Sequence, residues 1–272
     1  MPYADALGAK IYYETQGSGE PLLMIPGFGA NATLYWANIP ALAERFHVIA
    51  YDPRGAGRSD VPPAPYSMQM HAEDAIAVIE AAGERSAHVF STSMGGMIAQ
   101  NLALLYPERV RRLVLCCTTP GGTHHVLPPP EALERFIAAA SIEDPAAAVR
   151  STYPLHYSDA YVAEHDTEIV ARSLATSSMR STPEGRAGQL AAVQEHDTYD
   201  RLPEVNAPTL VAHGEEDGII PVQNGRILAE RIPNARLVIY PRAKHIFFVE
   251  CAAELNAEVM AFLTEPARER VA

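Results

Sequence analysis

Val89-Phe90-Ser91-Thr92-Ser93-Met94-Gly95-Gly96-Met97-Ile98-Ala99-Gln100 is the stretch whose reading decides the fold. The apolar run from Ala87 to Phe90 reads as a buried strand, and Met94 to Leu105 carries a helical pattern. Only small residues separate the two. A serine at such a junction stands with its hydroxyl above the end of a sheet, where a substrate can reach it. Ser93 is therefore the candidate nucleophile. The turn is tight, and bulk on either side of the serine would crowd its strained backbone. Glycine usually opens this pattern; Ser91 stands in its place.

The same alternation extends on both sides of the junction. Tyr3 to Leu7 and Lys10 to Gln16 predict a hairpin turned at Leu7-Gly8-Ala9, the second arm alternating like a half-exposed edge strand. Leu22 to Ile25 is unbroken apolar, as a strand buried on both faces reads. It ends in Pro26-Gly27-Phe28-Gly29-Ala30-Asn31, a turn able to present backbone N–H groups, followed by a predicted helix over Thr33 to Glu44. Val48 to Tyr51 is the next buried strand and runs into Asp52-Pro53-Arg54-Gly55-Ala56-Gly57-Arg58-Ser59-Asp60. A helix over Ser67 to Ala82 follows, stopped by Gly83. After the junction, Leu113 to Cys117 forms another strand.

The alternation stops between Gly121 and about Leu202. Helices are expected from Glu131, over Pro145 to Ser151, Ala160 to Thr176 and Pro183 to Gln194, although Gly185 and Gly188 weaken the last. Strands resume at Thr209 to Ala212 and Leu237 to Tyr240, with helices over Val222 to Arg231 and Phe247 to Leu263 and a fraying tail from Glu265 to Ala272. The chain thus divides into a first core part (1–120), a helical cap (121–202) and a second core part (203–272). An α/β class follows, with a mostly parallel eight-stranded sheet flanked by helices and the cap inserted after the sixth strand.

The candidate chemical groups all fall at strand ends, which a parallel sheet gathers on one edge. A serine hydroxyl needs a base to become a nucleophile. His245, after the last strand, can take its proton, and a carboxylate must then fix the imidazole tautomer and stabilise the cation. Asp217 is the best placed; Glu215 and Glu216 compete if the turn is shifted. The backbone N–H groups of Phe28 and Met94 are the candidate oxyanion donors. Asp52 and Arg54 are expected to brace their turn.

Taken together, Pro26-Gly27-Phe28-Gly29, Asp52-x-Arg54-Gly55-x-Gly57-x-Ser59, Ser93-Met94-Gly95-Gly96, Gly214-x-x-Asp217-x-x-x-Pro221 and Lys244-His245 resemble the α/β-hydrolase superfamily over nearly the whole chain. The esterase and lactonase branch, including the 3-oxoadipate enol-lactonases, is most similar. The resemblance implies a helical lid, no cofactor and a catalytic triad of Ser93, Asp217 and His245. The family often has His where this chain has Pro26, which removes one customary brace of the oxyanion loop. Serine at the junction argues against the dehalogenase and epoxide hydrolase chemistries, which use Asp there.

The expected activity is hydrolysis of small carboxylic esters or lactones through an acyl-enzyme. Alternatives are carbon–carbon bond hydrolysis of a vinylogous keto acid, which favours a basic residue near the pocket, and a slow-turnover ligand receptor of the same fold. Tyr153, His156, Tyr157, Tyr161 and Met179, with His165, are the pocket candidates from the lid. His124-His125 lacks partner ligands nearby, so no metal is expected. The net charge of −12, without a basic block, disfavours nucleic acid and anionic membranes and suits a small-molecule substrate. A homo-oligomer is left open. The absence of a signal-like start or long apolar run, and three cysteines (Cys116, Cys117, Cys251) without ligand spacing, lead to an expected cytoplasmic location.

Overall fold

The computed structural model describes residues 2–139, 141–179 and 181–266. The hairpin forms from β1 (Tyr3–Ala6) and β2 (Ala9–Gln16), turned where Leu7 and Gly8 both take positive φ, 43° and 78°. Its second arm is not an edge: β1 occupies that place, and residues 13–16 of β2 pair onward with β4. β3 (Glu20–Ile25) is followed by a 3₁₀ turn (Ala32–Tyr35) and the short α1 (Ile39–Leu42) rather than one helix over 33–44. Pro40 explains the break, since it has no N–H to continue a helix begun at Ala32.

β4 (Phe46–Tyr51), α2 (Met68–Ala81), β5 (Ala87–Thr92), α3 (Met94–Leu105) and β6 (Val110–Cys116) complete the first alternation. Ser67 caps α2, its Oγ accepting from the Met70 N–H. Among the described residues five α-helices then follow without an intervening strand of the sheet: α4 (Pro130–Ala139), α5 (Pro145–Ser151), α6 (Tyr153–His156), α7 (Asp159–Ala175) and α8 (Pro183–Glu195). The chain returns through β7 (Thr209–Gly214), α9 (Gln223–Arg231), β8 (Arg236–Tyr240), α10 (Phe247–Glu250) and α11 (Ala252–Leu263). The last two replace a single predicted helix, which breaks at Cys251 (φ −108°, ψ 33°). Part of the predicted tail, 267–272, lies outside the described residues.

The eight strands form one sheet in the order β1-β2-β4-β3-β5-β6-β7-β8, parallel from β4 onward. Alternate residues of each inner strand enter two separate cores. Leu23, Ile25, Val89 and Leu113 pack with Ala72, Val78, Ile98 and Leu102 of α2 and α3, whereas Leu22, Met24, Phe90 and Val114 pack with Phe247, Leu255 and Phe262 of α10 and α11. This two-sided burial is why the inner strands read as unbroken apolar runs. The order reverses at β3, whose neighbours are β4 and β5, and the ends of β3 and β5 flank the crevice that such a reversal opens. The lid helices keep a small core of their own at Tyr153, Ile169 and Val170. Among the described residues no helix is long and apolar enough to cross a membrane.

Candidate active site

Ser93 is the single residue between β5 and α3, and it holds φ 54°, ψ −121°, a conformation that a side chain-bearing residue adopts only under constraint. The constraint comes from its hydrogen bonds. Its N–H donates to the Cys116 carbonyl (2.9 Å), and its own carbonyl accepts from Thr118 Oγ1 (2.8 Å) and from the Gly96 N–H (2.9 Å). One residue earlier, the buried Tyr35 hydroxyl donates to the Ile25 carbonyl (2.6 Å) and sits 3.0 Å from Thr92 Oγ1, tying the ends of β3 and β5 together. Gly95 is required because α3 begins directly against β3: a Cβ there would run into the Ile25 carbonyl.

The loop after β3 lies beside this junction, since Ile25 is in register with Ser91. Among the described residues neither the Phe28 nor the Met94 backbone N–H has an acceptor within the protein. Both remain available to a developing oxyanion. The other half of the site comes from β7 and β8. Asp217 is buried, and its two oxygens lie 3.0 and 2.8 Å from His245 Nδ1. Oδ1 also accepts from the Ile219 and Ile220 N–H groups (2.8 and 2.9 Å), and His213 Nε2 lies 3.3 Å from Oδ2. Burial by itself would raise the Asp217 carboxyl, but the adjacent His245 and the hydrogen bonds from His213 and His245 hold it well below the usual carboxylate range. With Nδ1 engaged by Asp217, His245 has Nε2 left for proton transfer. Glu215 and Glu216 are exposed, and Glu215 accepts from the Arg242 N–H instead.

A cavity of about 510 Å³ lies between core and lid; Phe28, His156 and Ile246 are in its wall, whereas Ser93, Asp217 and His245 are not. Tyr153, His156, Tyr157 and Tyr161 line it; Met179 and His165 do not. Met179 instead gives its carbonyl to Asn31 Nδ2 (3.0 Å), and His165 stacks on Tyr161 at 4.2 Å. The His156 ring stands 6.4 Å from that of His245, and burial followed by the His245 charge pushes its pKa down to about 4. Arg172 and Arg186 are also in the wall. Arg172 covers Trp36 and pairs with Glu168, whereas Arg186 donates through Nε to the Ser181 carbonyl (3.1 Å) and has no carboxylate in ion-pair range among the described residues. His124 stacks on Tyr199 at 3.8 Å, and His125 Nδ1 lies 2.6 Å from the Gly122 carbonyl.

A sequence model of the alpha/beta hydrolase fold matches residues 20–251. The chain belongs to the α/β-hydrolase family. A protein named as a carbamate hydrolase, RutD, of Azorhizobium caulinodans is 32% identical over 97% of this chain and 99% of its own. A 2-hydroxymuconate semialdehyde hydrolase of Pseudomonas sp. CF600 is also 32% identical, over 96% of this chain and 92% of its own. The crystal structure of the enol-lactonase of Burkholderia xenovorans LB400 superposes with a TM-score of 0.84 at 26% identity, covering 97% of this chain and 100% of that one.

Two departures of this α/β-hydrolase from the family pattern have visible consequences. Ser91 is fully buried, and its hydroxyl donates to the Val114 carbonyl on β6 (2.8 Å), so it is packed into the sheet and away from the cavity. Pro26 brings no side-chain donor to the loop after β3; the Gly29 N–H there donates to Gln189 Oε1 (2.8 Å) from the lid. Asp52 and Arg54 are braces of this α/β-hydrolase. Asp52 accepts from the Ala32 and Arg58 N–H groups (2.9 and 2.8 Å), and Arg54 makes a two-pronged pair with buried Asp74 (2.6 and 2.5 Å). His213 had a signal, since it immediately precedes the Gly214-to-Asp217 turn. Gln189, 160 residues from its partner, had none.

Proposed function

We propose that this α/β-hydrolase cleaves small carboxylic esters or lactones through an acyl-enzyme on Ser93. The observation that carries the reading is the buried His245–Asp217 pair at the same sheet edge as a serine held at a strained strand-to-helix turn. Ser93 Oγ attacks the carbonyl carbon while His245 Nε2 takes its proton, and the carbonyl oxygen, now anionic, accepts from the Phe28 and Met94 N–H groups. Collapse breaks the bond to the leaving oxygen, which receives the proton from His245. His245 then deprotonates a water that attacks the acyl carbon, and the acid departs as Ser93 regains its proton. In a lactone the leaving oxygen stays tethered. Asp217 holds the imidazole tautomer throughout and stabilises its cation.

Replacing Ser93 with Ala is expected to leave a folded protein with ester turnover reduced by about 10³-fold or more. A fluorophosphonate is expected to modify Ser93 alone, as mapped by mass. Unchanged turnover in the variant sinks the assignment.

Arg186 favours a second reading, carbon–carbon hydrolysis of a keto acid, because a cavity-wall guanidinium without a carboxylate partner suits an anionic substrate group. An Arg186→Met variant that loses turnover of a vinylogous keto acid about tenfold or more, with simple ester turnover intact, supports this reading over the first.

A further inference from the structure

The loop that carries the Phe28 N–H is pinned from the lid. The Gly27 carbonyl accepts from the Ala30 N–H (3.2 Å). Because the peptide is planar and trans, the Phe28 N–H of that same unit points the opposite way. Two bonds from the lid hold the turn: the Gly29 N–H donates to Oε1 of Gln189 at 2.8 Å, and farther from Phe28 the Asn31 side chain reaches the Met179 carbonyl. The other end of the Gln189 amide is fixed as well, Nε2 donating to the Arg54 carbonyl at 2.9 Å, and the side chain is wholly buried. Arg54 is immobilised by its buried pair with Asp74. α8 can approach closely enough for this because Gly185, one turn before Gln189, meets the Gly55 backbone where a Cβ could not fit.

We propose that Gln189 is a positioning residue for the oxyanion loop, so that seating α8 of the lid on the core completes the oxyanion hole. The proposal rests on the serine-hydrolase reading above. It replaces the brace that Pro26 cannot supply. A misplaced donor loses its value in the transition state while leaving ground-state binding intact, so the effect belongs in kcat rather than KM.

The test compares wild type, Gln189→Met, Gln189→Glu and Ser181→Ala. The last removes a different lid-to-core bond, from Ser181 Oγ to the Gly55 carbonyl, one that involves no polar atom of the loop. Each is assayed with p-nitrophenyl butyrate and with 1,1,1-trifluoro-2-heptanone, whose ketone carbon forms a bond to Ser93 Oγ and leaves an oxyanion. Gln189→Met is expected to lose about 10- to 100-fold in kcat with KM within about twofold, and to weaken the ketone by the same factor. Gln189→Glu keeps an acceptor for the Gly29 N–H and, only when protonated, a donor for the Arg54 carbonyl, so it is expected to recover part of that loss relative to wild type as pH is lowered, and Ser181→Ala to stay near wild type. Full kcat and ketone affinity in Gln189→Met overturn the proposal, as does an equal loss in Ser181→Ala. A wild-type enzyme that neither turns over the ester nor reacts with fluorophosphonate sinks the serine-hydrolase reading itself, a result distinct from both. If Gln189→Met does not fold, amide exchange in wild type decides. Forming the ketone adduct must slow exchange in 27–30 and 185–190 together, beyond the effect of butyrate, and protection confined to 27–30 overturns the proposal.

Discussion

Asp217 receives two backbone N–H groups and faces two imidazoles, a set of partners that stabilises its ionised form in a place where burial opposes it. A carboxyl whose folded pKa is depressed contributes stability that is present above its unfolded pKa and lost as pH falls towards the folded one. Asp217→Asn is therefore expected to lower the melting temperature at neutral pH, with the gap to wild type narrowing as pH drops from about 5 to about 3. Ester turnover in the same variant should fall by about 10⁴-fold, because Asn does not hold the required imidazole tautomer. Ser91 makes an opposite case. Its hydroxyl serves the sheet, so Ser91→Gly should cost about 1 kcal/mol in denaturant unfolding and leave acyl-chain preference unchanged. A changed preference would place that hydroxyl in the pocket.

Among the elements, α2 and α8 are tied to the loop after β4 by polar bonds as well as by packing. Arg54 and Asp74 are almost fully buried, with 3% and 0% of their side chains exposed, so removing one leaves the other charge without compensation. Asp74→Ala should destabilise the protein by about 3–5 kcal/mol, measured by urea unfolding. The lid also reaches the second half of the site through backbone: the His245 and Ile246 N–H groups donate to the Leu155 and His156 carbonyls of α6 (3.4 and 2.9 Å). Such bonds carry no side-chain signature, which is why α6 escaped the pattern that made α5, α7 and α8 legible. Gly185 and Gly188 look like helix breakers in one dimension. In three they are the face on which α8 meets Gly55 and Tyr66.

At the scale of the whole molecule, a cavity lies between core and lid with Phe28 and Ile246, chain neighbours of the candidate site, in its wall. Val149 stands in its wall, and Val149→Trp should reduce kcat/KM for long acyl esters about tenfold or more relative to acetate, measured across a chain-length series. The sheet and the places of Ser93, Asp217 and His245 at strand ends were legible because burial on both faces forces unbroken apolar runs, and because tight turns demand small residues. Those constraints act over a few neighbouring positions and so leave a trace in the chain itself. The tertiary structure alone placed Tyr153, His156, Tyr157 and Tyr161 in the cavity wall while excluding Met179 and His165, joined Gln189 to Gly29, and turned the Ser91 hydroxyl into the sheet. These depend on the packing of helices distant in sequence, where a side chain's partner is set by how one surface seats on another and no local periodicity records it.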